Sequence, residues 1–317
     1  MEVAVPGSSR EGLGSKPQPR HARKKKRGRS GVVYILLGIL VLLFPIFATL
    51  YNDYQLDKTA RQYAQKVKEI EPGERVQHYI DEAHAYNQRL AQSGHHAMKP
   101  DQSSPGFDEY MDTLNPPETS GMIARIVIPS LDIDLPVYHT TAPSVLYRGA
   151  GHMFGSDLPV GGEGTNAVIS AHTGMVNASM FDNLPRVKDG AEIYIEVMGQ
   201  TLAYEVTSRQ VVKPDKYDAV TYESDQDKIT LITCTPYGIN TDRLLVTAHR
   251  IHKDDIQIEE TWKPTFSWWM VLALVLIFLV LLIVVIREWR RKRRRRAAKA
   301  LASADANPGN GRESDSC

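Results

Sequence analysis

Two kinds of apolar pattern divide the chain. Residues 31–51 (GVVYILLGILVLLFPIFATLY) and 267–286 (SWWMVLALVLIFLVLLIVVI) are uncharged and apolar without interruption. About 20 such residues, rising about 1.5 Å each, cross a hydrocarbon core of about 30 Å. Both runs therefore predict membrane-spanning helices, and the second has no polar face with which to serve as a core helix. A cleavable signal is the competing reading of the first run, but its apolar stretch is long for one and Ala48 offers a poor cleavage site. Between the runs the apolar residues become periodic. Val76, Tyr79, Ala83, Tyr86 and Leu90 recur at helical spacing, so residues 52–93 predict helix, broken into two at Glu71-Pro72-Gly73. Residues 94–120 are rich in Pro, Ser and Gly and predict a loop, or a cover lying over something.

From Gly121 the pattern changes to short β-branched runs separated by turn residues. Strands are expected at 122–128, 132–138, 166–171, 191–198, 201–212, 228–233 and 243–251, with Gly199-Gln200 as a tight hairpin connection. Seven or eight short strands and few helices predict a closed barrel or a sandwich. No internal repeat is visible.

Charge adds a direction to this layout. The net charge of +1 hides a segregation: Lys and Arg crowd residues 20–29 and 287–299, whereas residues 52–264 hold 19 Lys and Arg against 31 Asp and Glu. An acidic middle argues against nucleic-acid binding by the folded domain. Basic residues flank the spans on their outer sides, so the positive-inside rule puts both termini in the cytoplasm and residues 52–264 outside. The same basic runs also suit anionic lipid. Trp268 and Trp269 then fall at the outer interface and Trp289 at the inner one.

Cysteine usage becomes informative in that setting. Cys234 is the single cysteine of the exported segment; Cys317 ends the opposite tail. An unpaired exported thiol is either a buried bystander or a reactive group. The stretch KITLITCTPYGIN puts Cys234 where an apolar strand meets a loop, and NAVISAHTG does the same for His172. A basic neighbour that draws off the thiol proton makes cysteine a nucleophile. His139, His152 and His172 all remain candidates for that neighbour, and strand-end position favours His172. His249 is excluded by reach: six residues beyond Arg243 along one strand is roughly 20 Å. Arg243 opens its strand either as a surface ion pair or as a forked donor for an acyl-transfer oxyanion. The glycines of LPVGGEGTN (158–166) read as a turn, because neither a helix nor a Lys-Ser/Thr pair follows.

TLITC followed by TPYGINTDR resembles the signature of the sortases, the membrane-bound cysteine transpeptidases of Gram-positive bacteria. SAHTG is similar to that family's catalytic-histidine segment, and residues 138–174 are similar nearly end to end to class C, the pilus-assembling sortases. The resemblance implies a mainly β fold: the closed sortase barrel with N-terminal helices and a lid-like loop, flanked by two transmembrane helices. It implies a cytoplasmic tail over 1–30, a span at 31–51, a helical prelude and lid over 52–120, and a catalytic barrel over 121–252. A linker over 253–266, a span at 267–286 and a basic cytoplasmic tail over 287–317 would follow. Cys234 would be the nucleophile, His172 the acid and base, and Arg243 the brace for the carbonyl. The substrates would be pilins or surface proteins bearing a C-terminal Leu-Pro-x-Thr-Gly-type sorting signal, cut between Thr and Gly. The acceptor would be a pilin lysine, or a cell-wall precursor amine in the alternative reading. No cofactor and no metal is implied. The Asp-Pro-aromatic tripeptide common in class C lids is missing from 94–120, where Phe107, Asp108 or Tyr110 could take its place. The alternatives from other classes are a thiol hydrolase and a non-catalytic, membrane-tethered β-domain.

Overall fold

The computed structural model describes residues 29–70, 73–95, 101–254, 256–258 and 262–305. The expectations for both tail ends, Cys317 and the Glu71-Pro72 break lie outside those residues. The chain divides after Val41. The described part before that point begins helix α1 (Arg29–Lys68), and its Leu36, Leu37 and Leu40 are exposed. α1 is one helix of 40 residues, so the first apolar run and the start of the predicted prelude are continuous. No glycine or proline interrupts it between Phe47 and Lys68, and Pro45 is accommodated inside it. α5 (Trp268–Asp305) carries the second apolar run, and both helices are long and apolar enough to cross a membrane.

Beyond Val41 the core of the chain is a closed barrel of eight strands in the order β1-β2-β3-β4-β7-β8-β6-β5. The strands are β1 (Met122–Ile128), β2 (Ile133–His139), β3 (Ala150–His152), β4 (Thr165–Ser170), β5 (Glu192–Val197), β6 (Gln200–Val212), β7 (Asp227–Thr235) and β8 (Asp242–Ile251). Seven match the expected runs to within two residues at either end. β3 has no counterpart among them, because three residues reading Ala-Gly-His carry no period. It forms because β2 and β4 close over it, and only glycine fits there: a Cβ on Gly151 would stand 2.2 Å from the Thr140 carbonyl oxygen. The β5–β6 hairpin turns at Met198 and Gly199, one residue earlier than expected, and both have positive φ (44° and 79°). Those angles suit the right-handed twist of a two-residue hairpin.

Helices cover the barrel. α2 (Gly73–Ser93) buries Ile80, Ala83 and Tyr86, and its Asn87 side chain bonds both the carbonyl (3.0 Å) and the N–H (2.8 Å) of Leu158. α1 is pinned by Tyr63, whose hydroxyl donates to the Ile123 carbonyl (2.7 Å), and by Arg61, which pairs with Asp57 and approaches Asp134 at 3.5 Å. Asp134 in turn holds the fully buried Arg125 at 2.6 Å, and Glu196 holds its other arm at 2.9 Å. Two short helices, α3 (Phe107–Asp112) and α4 (Pro143–Leu146), complete the fold.

α3 lies in the segment where the lid-like loop is expected. Phe107 and Tyr110, three positions apart on one face, are both buried, while Asp108 is exposed. The Tyr110 hydroxyl accepts the Thr140 N–H (3.0 Å) and lies 3.0 Å from both the carbonyl oxygen and Nδ1 of His152. Its ring meets His139 edge-on at 4.8 Å. The segment is thus part of the core, since an aromatic pair this buried gains more from packing than from lying over a solvent-filled groove.

Candidate active site

β4 and β7 run parallel, with Ser170 beside Ile232, so the loops that follow them leave the barrel at the same end. His172 follows β4 and Cys234 sits near the end of β7. β8 runs antiparallel to β7 and places Arg243 directly opposite Cys234, where facing side chains share one side of the sheet. Cys234, His172 and Arg243 all line one cleft of about 490 Å³, together with Leu146, Met153 and Tyr217. Cys234 is a free, half-buried thiol.

Threonines flank the cysteine and histidine and hold the two strand ends together. The Thr233 hydroxyl, fully buried, donates to the Ala171 carbonyl (2.9 Å) and bonds Thr173. A further hydrogen bond runs from the Phe181 N–H to the His172 carbonyl (3.0 Å), closing the loop behind the histidine. Burial alone lowers the His172 pKa below the usual imidazole value, which favours the neutral ring. Its ring lies 5.5 Å from that of Tyr147. The Arg243 guanidinium donates through Nη1 to the carbonyls of Asn240 (3.2 Å) and Asp242 (3.0 Å). Among the described residues, Nε and Nη2 make no hydrogen bond and the guanidinium makes no ion pair.

Asp182 carries no signal in its local sequence that singles it out. Its carboxylate accepts the Gly174 N–H (2.7 Å), the Tyr237 hydroxyl (3.3 Å) and the Ser267 hydroxyl (3.3 Å). It therefore joins the loop after His172, the loop after Cys234 and the start of α5. Desolvation pushes its pKa up to about 6 despite these donors.

The other histidines go elsewhere. His139 and His152 are buried, with Nε2 at 3.0 Å from the Thr113 carbonyl and 2.7 Å from the Asp157 carbonyl. Burial depresses their pKa values to about 4 and about 3, so both rings are neutral. His249 pairs in register with Lys228, at the far end of β7 from Cys234, as its spacing predicts. His95 contacts Asp157 at 3.0 Å and stacks on Tyr222 at 3.9 Å. The glycine-rich turn lies beside it, around a second cavity far from Cys234. Among the described residues of 94–120, none lines the cleft of Cys234.

An open cleft with a thiol, an imidazole and a guanidinium with free donors has the parts for acyl transfer: a nucleophile, a proton carrier and an oxyanion brace. Comparison with known proteins leads to the same chemistry. Residues 126–251 match the family model of the sortase domain, and residues 254–315 match a model described as a domain of unknown function. The crystal structure of sortase C-1 from Actinomyces oris is 41% identical, covering 56% of this chain and 99% of that one, with a TM-score of 0.52. The sortase C structure of Streptococcus pneumoniae, described in terms of catalysis and pilin substrate specificity, is 33% identical, covering 62% of this chain and 97% of that one, with a TM-score of 0.53. Sortase A of Bacillus anthracis is 25% identical over 213 residues, which is 66% of this chain and 90% of that protein.

Proposed function

This chain belongs to the sortase family of cysteine transpeptidases, and on that premise we propose that it cleaves a Leu-Pro-x-Thr-Gly-type sorting signal and joins the product to a pilin lysine. The observation that carries the site assignment is the pairing of Cys234 with Arg243 across β7–β8, in one cleft with His172. In this reading His172 takes the Cys234 proton and the thiolate attacks the threonine carbonyl. Negative charge develops on the carbonyl oxygen, and the unbonded donors of Arg243 stabilise it. Collapse expels the glycine nitrogen, which takes the proton from His172, and leaves a thioester on Cys234. A lysine amine then attacks the thioester, His172 accepts its proton, and the thiol is restored as an isopeptide bond forms. One amide replaces another, so the exchange calls for no external energy source. Burial that favours the neutral imidazole suits His172 to receive a proton in each half-reaction.

The two apolar helices and the basic runs beyond them support a membrane-anchored enzyme with both termini in the cytoplasm and the barrel outside. Likeness to sortases of class C, one of them described for pilin specificity, favours a pilin lysine over a wall-precursor amine. Incubating the protein with a sorting-signal peptide and either a lysine-bearing pilin or a wall-precursor amine tests the reading. Isopeptide product with the pilin is expected. Product with the wall amine alone would reassign the acceptor, and release of free acid alone would make the enzyme a hydrolase.

A further inference from the structure

Two of the loops that frame the cleft are uncharged and apolar at their tips, whereas a third, 213–219 (KPDKYDA), lines it with Lys213 and Lys216. Residues 173–181 (TGMVNASMF) and 235–241 (TPYGINT) contain no Asp, Glu, Lys or Arg. Their tips present bare apolar side chains: Val176 is 74% exposed and Ile239 is 69% exposed. The loops at the other end of β4 and β7, by contrast, carry Glu163, Glu223, Asp225 and Asp227. From Asp227 to Cys234 is roughly 23 Å along the strand.

Hydrogen bonds set the height of the uncharged loops against the apolar helices. Thr49, inside the first apolar run, shares its hydroxyl between the carbonyls of Pro45 and Val176, each at 2.9 Å. One turn on, Asn52 donates to the Asn177 carbonyl (2.8 Å) and Asp53 accepts the Ser179 N–H and hydroxyl (2.8 and 2.7 Å). At the second helix, Ser267 donates to Asp182 and the Trp268 ring meets Tyr237 edge-on at 6.1 Å. Helix α1 thus holds the loop after His172, and the start of α5 holds Asp182 at the end of that loop and Tyr237 in the loop after Cys234, each level with the end of an apolar run.

From this geometry we propose that the mouth of the Cys234 cleft rests on the outer leaflet, with Val176 and Ile239 inserted at the lipid interface. The inference rests on the reading of both helices as membrane spans. Lipid is the occupant because the anchors fix these tips at the depth where a span leaves the hydrocarbon. The loops that carry Val176 and Ile239 have no charge to desolvate there, Lys213 and Lys216 on the third loop suit anionic headgroups, and Tyr237 and Trp268 are aromatics of the kind that collect at that depth. A cleft that opens onto the leaflet admits a peptide emerging from the membrane ahead of one free in solution.

The test is photocrosslinking of the full chain in vesicles of phosphatidylglycerol and phosphatidylcholine. Benzoylphenylalanine is placed singly at Val176, Ile239, Glu163, Glu223 and Leu279, the last an exposed position within α5. Lipid adducts are expected at 176, 239 and 279 and none above background at 163 and 223. Adducts at 279 without adducts at 176 and 239 would overturn the proposal while leaving the spans intact. Absence of adducts at 279 would overturn the spans, and the proposal with them. Because crosslinking needs no turnover, the Cys234→Ala protein must give the same adducts, so the result is independent of the assigned chemistry.

Discussion

Replacing Arg243 with lysine separates the charge of this side chain from its shape. In the structure one guanidinium nitrogen is spent on the Asn240 and Asp242 carbonyls, while Nε and Nη2 make no hydrogen bond among the described residues and the side chain lines the cleft. A lysine ammonium is a single point with no second arm. If it satisfies the loop carbonyls it cannot also reach a tetrahedral oxyanion, and if it reaches the oxyanion the loop loses its brace. Loss of one such donor costs about 10²–10³ in rate, equivalent to about 2.7–4 kcal/mol of transition-state stabilisation. An exposed ion pair would instead be worth about 0–1 kcal/mol, which lysine would largely retain. The assay is fluorescence release from a quenched sorting-signal peptide, with iodoacetamide alkylation of Cys234 as control. Turnover is expected to fall about a hundredfold, while alkylation, which builds no oxyanion, changes little. Turnover within about fivefold of the parent, the span of a surface pair, would remove Arg243 from the mechanism.

Cys234→Ala should abolish both peptide cleavage and pilin crosslinking without changing the thermal midpoint; residual crosslinking at the parent rate would exclude Cys234 as nucleophile. Asp182→Asn tests the raised carboxyl: its ionised form is penalised, so the native state loses stability as pH rises from 3.8 towards about 6. The asparagine variant should therefore be more stable at pH 7.5 by at most about 3 kcal/mol, a gain that disappears near pH 4, and a pH-independent difference would refute the assignment. Tyr110→Phe leaves the buried Thr140 N–H without its acceptor and should cost about 1–3 kcal/mol in denaturant titrations; an unchanged midpoint would mean that α3 lies loosely after all. His139 and His152 are neutral in the fold and take protons only on unfolding, so stability is full above pH 6.5 and falls as pH drops towards about 4 and about 3. A His152→Gln variant should show a shallower acid limb, measured by thermal midpoint against pH; a limb as steep as the parent's would exclude His152 as one of its sources.

The order of elements along the chain was legible because it rests on local pattern. Uninterrupted apolarity marks α5, three- and four-residue spacing marks α2, and β-branched runs mark seven of the eight strands. The strand-end positions of Cys234 and His172 are equally local, since each is a polar residue placed where an apolar run stops. Register across the barrel decided the rest. β3 exists only because its neighbours close over it, and Met198 turns at positive φ because the hairpin twist demands it. Histidine was ambiguous among three positions until burial took His139 and His152 into the core. Composition alone left residues 94–120 open between a loop and a cover; among the described ones, Phe107 and Tyr110 pack inward, where the tyrosine hydroxyl finds buried polar partners. Asp182 is the clearest case of what sequence alone withholds. Its three donors come from Gly174, Tyr237 and Ser267, up to 85 residues away, and nothing in its neighbours along the chain foretells them. Periodicity and chemistry at a strand end are properties of short segments, whereas a hydrogen bond between loops depends on which strands the closed sheet makes adjacent.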